Sequence, residues 1–281
     1  MAKPQVIETD ESKASRSARR TVGAIVIVTV ACLAVVSGIA AGLLGDHGPS
    51  AKDAHTTTGA LAHWAGYAAV GPRFSSVAGT WTVPVAHCPA GSTSSSTTWI
   101  GMDGANSSHV EQTGSDSACS DGSSYYYVWV ELYGTSFHAG QPVVSCAIGS
   151  GTPCIPESPV PGDSLTATVT KAGSSFRFSL VDTTAGWTYR TTVVDPQVTG
   201  IGAGPQGSSA EWITEDDGTS LTDFGRVTFA RTSATAARHG AGATGFSTAR
   251  LTAHDGQGHT LASVGPIGTD GSFTTTWVRG A

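Results

Sequence analysis

The stretch Tyr125-Tyr126-Tyr127-Val128-Trp129-Val130-Glu131-Leu132-Tyr133 decides the fold class. It is filled with aromatic and β-branched residues, and successive side chains of an extended strand point to opposite faces. Tyr126, Val128, Val130 and Leu132 therefore share one face, an ordinary apolar core face. Tyr125, Tyr127, Trp129, Glu131 and Tyr133 share the other, aromatic with an acid among the rings. Such a face is a poor core and a good wall for a cleft that holds an extended polymer.

The same alternation recurs outward from this strand. Val77, Gly79, Trp81 and Val83 oppose Thr80 and Thr82; Leu165, Ala167 and Val169 oppose Thr166, Thr168 and Thr170. Phe176, Phe178 and Leu180 oppose Arg177 and Ser179, and Phe273, Thr275 and Trp277 close the chain. From Trp64 onward these runs are separated by Gly, Ser, Pro and Asp, and no helical period of useful length follows Gly45. About a dozen strands without helices bury a core only by stacking sheets or closing a barrel. The expectation is an all-β chain, a large antiparallel β-sandwich over residues 63–281. Arg231 to Arg250, rich in Ala, Gly, Thr and Ser, matches little and reads as a mobile loop.

The N-terminal part is different. Residues 1–20 are polar and end in the basic cluster Lys13, Arg16, Arg19 and Arg20, and Thr21 to Gly45 follows without a charge. That run reads as a signal peptide or a signal anchor, with the basic flank held in the cytoplasm and everything after Gly45 exported. Ala40, Ala41 and Gly42 permit cleavage, and the length permits anchoring. Cys32 lies inside the apolar run, which fits a membrane thiol better than a lipid acceptor. Residues 46–62 read as a linker or short pro-segment. The location expected is extracellular, either secreted or anchored to the outer face of the cytoplasmic membrane, with membrane contact only through residues 21–45.

Four cysteines lie beyond that segment, Cys88, Cys119, Cys146 and Cys154, and in an exported domain they suggest two disulfides. Three pairings are possible. Gly149, Gly151 and Pro153 make the connection after Cys146 a turn, which favours Cys146 with Cys154 and leaves Cys88 with Cys119. Neither pair has metal-ligand spacing, and no metal or cofactor is expected. The net charge is −6 and no Lys/Arg cluster follows the apolar run, which excludes a nucleic-acid partner. Few carboxylates also mean little lost on acidification.

Two further runs stand out. One reads Trp99-Ile100-Gly101-Met102-Asp103-Gly104 and then Val110-Glu111-Gln112-Thr113-Gly114; the other reads Ser208-Ser209-Ala210-Glu211-Trp212-Ile213-Thr214-Glu215-Asp216. Together with His63 to Tyr67, Gly79 to Pro84, Trp129 to Tyr133 and Phe224-Gly225, and in this order, they resemble the glutamic endopeptidases, or eqolisins, over about residues 63 to 230. The resemblance implies a concanavalin-like sandwich of two curved antiparallel sheets with a substrate groove. It implies a catalytic pair, Gln112 and Glu211, with Trp99, Asp103, Trp129, Glu131 and Tyr133 lining or supporting the groove. Departures are Tyr127, where fungal members often carry Asp, Gly134, where Pro is common, and an N-terminal segment too short for a long inhibitory pro-region.

The chemistry of the pair agrees with that implication. Hydrolysis of a peptide bond needs a base for the attacking water, a donor for the oxyanion and an acid for the leaving amine. Glu211 can serve as base and then acid, and the Gln112 carboxamide donates at any pH. An unperturbed glutamate titrates near 4.3, so an acidic optimum is expected. Glu111, next to Gln112, falls on the opposite strand face and reads as a bystander. The partner expected is a polypeptide substrate, acted on by a monomer. The alternatives are a sandwich glycosidase using Glu131 and Glu211, which would stand about 5 Å apart in a retaining enzyme, and a non-catalytic carbohydrate-binding or surface module.

Overall fold

The computed structural model describes residues 61–71, 73–107, 109–133, 144–145, 158–194, 206–216, 220–236 and 239–280. Within them the protein is an all-β sandwich of two antiparallel sheets, and the only helical pieces are short 3-10 turns such as Leu61–His63. No helix among the described residues is long and apolar enough to cross a membrane. The candidate membrane segment Thr21 to Gly45 lies outside them.

The first sheet is built from β1 (Ala65–Val70), β3 (Ser94–Met102), β4 (Val110–Ser120), β5 (Ser123–Tyr133), β6 (Val144–Ser145), β10 (Ser209–Glu215) and β13 (Thr248–Leu251). Its order is β13-β1-β10-β3-β4-β5-β6. The second holds β2 (Phe74–Thr82), β7 (Ser164–Ala172), β8 (Ser175–Asp182), β9 (Trp187–Val194), β11 (Arg226–Ala236), β14 (Ala253–His254), β15 (Thr260–Val264) and β16 (Phe273–Trp277), in the order β14-β15-β16-β11-β2-β7-β8-β9. β12 (His239–Gly242) pairs with β11 beside that path.

Period two assigns the faces as the opening stretch implies. Val128, Val130 and Leu132 join Ile100, Met102, Ala210 and Trp212 in the inter-sheet core, against Val77, Trp81, Leu165, Val169, Phe176, Phe178, Leu180 and Phe229 of the second sheet. Indole N–H groups tie the layers together: Trp212 donates to the Ala78 carbonyl at 2.8 Å and Trp81 to Ser115 Oγ at 3.0 Å. Each such indole buries a large apolar body while keeping its donor satisfied. Truncation of one to Ala typically costs about 3–5 kcal/mol. On its other face the first sheet carries a separate cluster, Trp64, Trp99, Val110, Trp129 and Ile213.

Cys88 and Cys119 are disulfide-bonded, as expected. Cys146 and Cys154 lie outside the described residues, as does Gly134. The expectation for Arg231 to Arg250 is corrected: Arg231 to Ala236 continues β11, His239–Gly242 is β12 and Thr248–Leu251 is β13. Two features hid the strand. The register slips between Ala230 and Ser233, with Arg231 in the left-handed region at φ 51°, and this bulge breaks the alternation. Beyond it Thr232, Ala234 and Ala236 point inward, small residues that give a weak apolar signal.

Candidate active site

Pairing across the first sheet brings the two distant motifs into one row. Glu211 on β10 is opposite Gly101 on β3, Gly101 is opposite Gln112 on β4, and Gln112 is opposite Glu131 on β5. Residues directly opposite one another point to the same face, so Gln112, Glu211 and Glu131 all leave the sheet on the side away from the inter-sheet core. Glu111 pairs with Met102 and Leu132 and faces the core, as its neighbouring position requires.

The next row along the strands is Ile213, Trp99, Gly114 and Trp129, and the one after it is Glu215, Thr97, Asp116 and Tyr127. Gly114 is what lets the two indoles lie there: a Cβ on it would come within 2.4 Å of the Thr98 carbonyl oxygen and 2.6 Å of Trp99 Cβ. Trp99 donates from Nε1 to Glu215 Oε1 at 2.9 Å, and Trp129 donates to Asp116 Oδ1 at 2.6 Å. Trp64 meets Trp99 edge to face, with centroids 4.9 Å apart. Glu215 and Asp116 are the functional-face residues that the sequence reading missed. Period two from Glu211 and from Gln112 leads directly to them.

Gln112 Nε2 donates to Glu131 Oε2 at 2.7 Å, which orients the carboxamide, and its Oε1 meets no protein partner. Burial holds the Glu131 carboxyl above the ordinary glutamate range, opposed by that bond. Glu211 is fully buried, and its Oε1 accepts the Ala105 N–H at 3.1 Å while Oε2 has no protein partner. Burial pushes Glu211 up to about 8, against the bonds from Ser209 and the backbone of Ala105 and Gly104, with Asp103 adding repulsion. Glu215 is likewise held well above its usual value, first by burial and then by Asp216 and Glu131, despite the Trp99 bond.

Asp103 touches neither head group of the pair. Its carboxylate accepts the Gly207 N–H and the Ser208 N–H, each at 2.7 Å, and Ser208 Oγ at 2.9 Å. It adopts φ 77°, turning the chain so that the turn beginning at Gly104 meets Glu211. Asp103 is therefore a latch between the end of β3 and the entry to β10. Tyr133 ends β5 opposite Val110. Glu131 and Glu211 are three strand positions apart, about 14–15 Å between Cα atoms, and the Gln112 amide stands between them. That spacing does not suit a retaining carboxyl pair.

No curated protein matches the chain. Among solved structures, it resembles scytalido-glutamic peptidase with a transition state analog inhibitor, at 20% identity and TM-score 0.60 over 77% of this chain and 98% of that one. SCP-B, a member of the eqolisin family in complex with the tripeptide Ala-Ile-His, gives 19% identity and TM-score 0.59 over the same shares. The aspergilloglutamic peptidase from Aspergillus niger gives 24%, TM-score 0.50, and 66% and 99%. These likenesses show the fold. The Peptidase A4 family matches residues 62–277, most of the chain, and the protein therefore belongs to that family and is a glutamic peptidase, a hydrolase of peptide bonds.

Proposed function

We propose that the protein is an acid endopeptidase in which Glu211 and Gln112 form the catalytic pair. The observation that carries the reading is their shared row and face, with a buried acceptor that meets no protein donor on each: Glu211 Oε2 and Gln112 Oε1. A water between them gives one hydrogen bond to each oxygen. As its oxygen attacks the scissile carbonyl carbon, its proton passes to Glu211, and the carbonyl electron pair moves onto oxygen. The free hydrogen of Gln112 Nε2, whose partner hydrogen is held by Glu131, meets that oxyanion. Collapse re-forms the carbonyl, breaks the C–N bond and sends the proton from Glu211 to the departing amine.

The raised pKa of Glu211 replaces the expectation of an unperturbed base. Its conjugate base is stronger toward water for being buried. The ionised form arises in the complex, where the water on Oε2 and the substrate amide dipoles solvate it and lower its pKa from about 8. Glu131, Glu211 and Glu215 all hold protons above their ordinary range, so acid keeps this face near neutral and the sandwich intact.

The apolar segment Thr21 to Gly45 supports export, with the peptidase domain secreted or held at the outer membrane face. The test is digestion of an acid-denatured protein by the wild type, Gln112→Ala and Glu211→Gln. Losing the oxyanion donor should cost at least about 100-fold in turnover, and losing the proton carrier more. Wild-type turnover in both variants would end the proposal.

A further inference from the structure

Between the two proposed catalytic side chains the sheet carries no side chain at all, because Gly101 occupies that place in the row. In an antiparallel sheet a residue's N–H and C=O both point to one neighbour, so one of its two cross-strand pairs is close and the other wide. The Cα atoms of Glu211 and Gln112 therefore stand about 10 Å apart. A tetrahedral adduct held by both head groups needs two hydrogen bonds of about 2.8 Å with roughly 2.3 Å between its oxygens, or roughly 8 Å in all. The gap suits that species only if its floor is bare.

Gly101 does not have a positive φ, so backbone freedom does not account for it. A Cβ there would lie 3.0 Å from Trp99 Cζ3, 3.1 Å from Gln112 Cβ and 3.3 Å from the Glu111 carbonyl oxygen. It would rise into the gap and push Gln112 aside. We propose that Gly101 is a positioning residue for peptide hydrolysis: its missing side chain forms the floor of a slot, framed by the Trp99 ring edge, that sets the spacing at which Glu211 and Gln112 grip the attacking water and the oxyanion. The inference rests on the catalytic pair proposed above.

The experiment measures kcat and KM on one peptide substrate for the wild type, Gly101→Ala, Gln112→Ala, Glu211→Gln and Gly79→Ala, each normalised to the folded fraction by near-ultraviolet circular dichroism. Gly79→Ala is the packing control. It places a Cβ 3.0 Å from Trp212 Cδ1 and 3.2 Å from Ile100 Cγ2, a comparable burden in the core. The expected result is a loss of about 100-fold in kcat for Gly101→Ala, with KM changed less than about threefold and Gly79→Ala turning over normally per folded molecule. If Gly101→Ala folds poorly, adding Trp99→Phe removes the Cζ3 contact and leaves the Cβ in the slot, and the same loss in kcat is expected. A kcat within about threefold of wild type for the folded Gly101 variants, while Gln112→Ala and Glu211→Gln are inactive, overturns the slot and leaves the pair standing. Full activity in Gln112→Ala and Glu211→Gln overturns the pair and the slot with it.

Discussion

Gln112 and Glu131 are joined twice, by register between β4 and β5 and by a 2.7 Å hydrogen bond from Nε2 to Oε2. The Glu131 carboxyl keeps an acceptor oxygen whether or not it carries its proton, and the amide turns its nitrogen end to that oxygen and leaves Oε1 for the other side. The acid on the aromatic face of β5 thus decides what the amide on β4 presents to β3 and β10.

Removing that acceptor should affect turnover more than binding. Glu131→Ala leaves the Gln112 amide free to rotate, and a misplacement of about 1 Å costs on the order of 100-fold in rate. Steady-state kinetics on a peptide should show the loss in kcat with KM little changed, and thermal unfolding should show the fold retained.

The stability of this protein should favour acid. Glu211 has a folded-state pKa of about 8, above its unfolded value, so its contribution is fully present below about 4.5 and is lost as pH rises to about 8. Glu131 and Glu215 shift in the same direction. Urea midpoints measured from pH 4 to 8 should fall across that window, with the extrapolated unfolding free energy dropping by an amount on the order of a few kcal/mol. Glu211→Gln cannot ionise and should flatten the curve. A midpoint that climbs with pH over this range would contradict the sign.

Asp103 should matter to both fold and rate. Asp103→Ala leaves the Gly207 and Ser208 N–H groups without their carboxylate, at a cost of about 1–3 kcal/mol. The turn that brings Ala105 N–H to Glu211 loosens with it, so kcat should drop as well. Denaturant unfolding and kinetics on the same preparation separate the two effects.

The Cys88–Cys119 disulfide closes a sequence separation of 31 residues, and Cys119 lies on β4, the strand that carries Gln112. Replacing both cysteines with Ser should lower stability by roughly 3–4 kcal/mol in the chain-entropy picture. The thermal midpoint should fall in acid, and retention of the wild-type midpoint would show that the link contributes nothing.

Much of the face assignment was legible in residues 125–133, because strand periodicity is local and the aromatic and acid residues of that run sort themselves without help from the rest of the chain. Arg231 to Ala236 was not legible. There a bulge shifts the alternation by one position, and Thr and Ala fill the inward sites. Period two from Glu211 and from Gln112 puts Glu215 and Asp116 on the same face, but the indole N–H that holds each, Trp99 on β3 and Trp129 on β5, comes from another strand and leaves no trace in linear spacing.

The amino-acid sequence by itself determined the strand faces, the sandwich class, the family motifs and the amide and acid proposed as the catalytic pair, since each depends on residue type and on a period of two. Only the tertiary structure decided that Gly101 separates Gln112 from Glu211, and that burial drives Glu211 to about 8. Those properties belong to cross-strand register and to solvent exclusion. Both come from strands that are distant in the chain and adjacent in the sheet, where a one-residue slip would turn every one of these side chains to the other face.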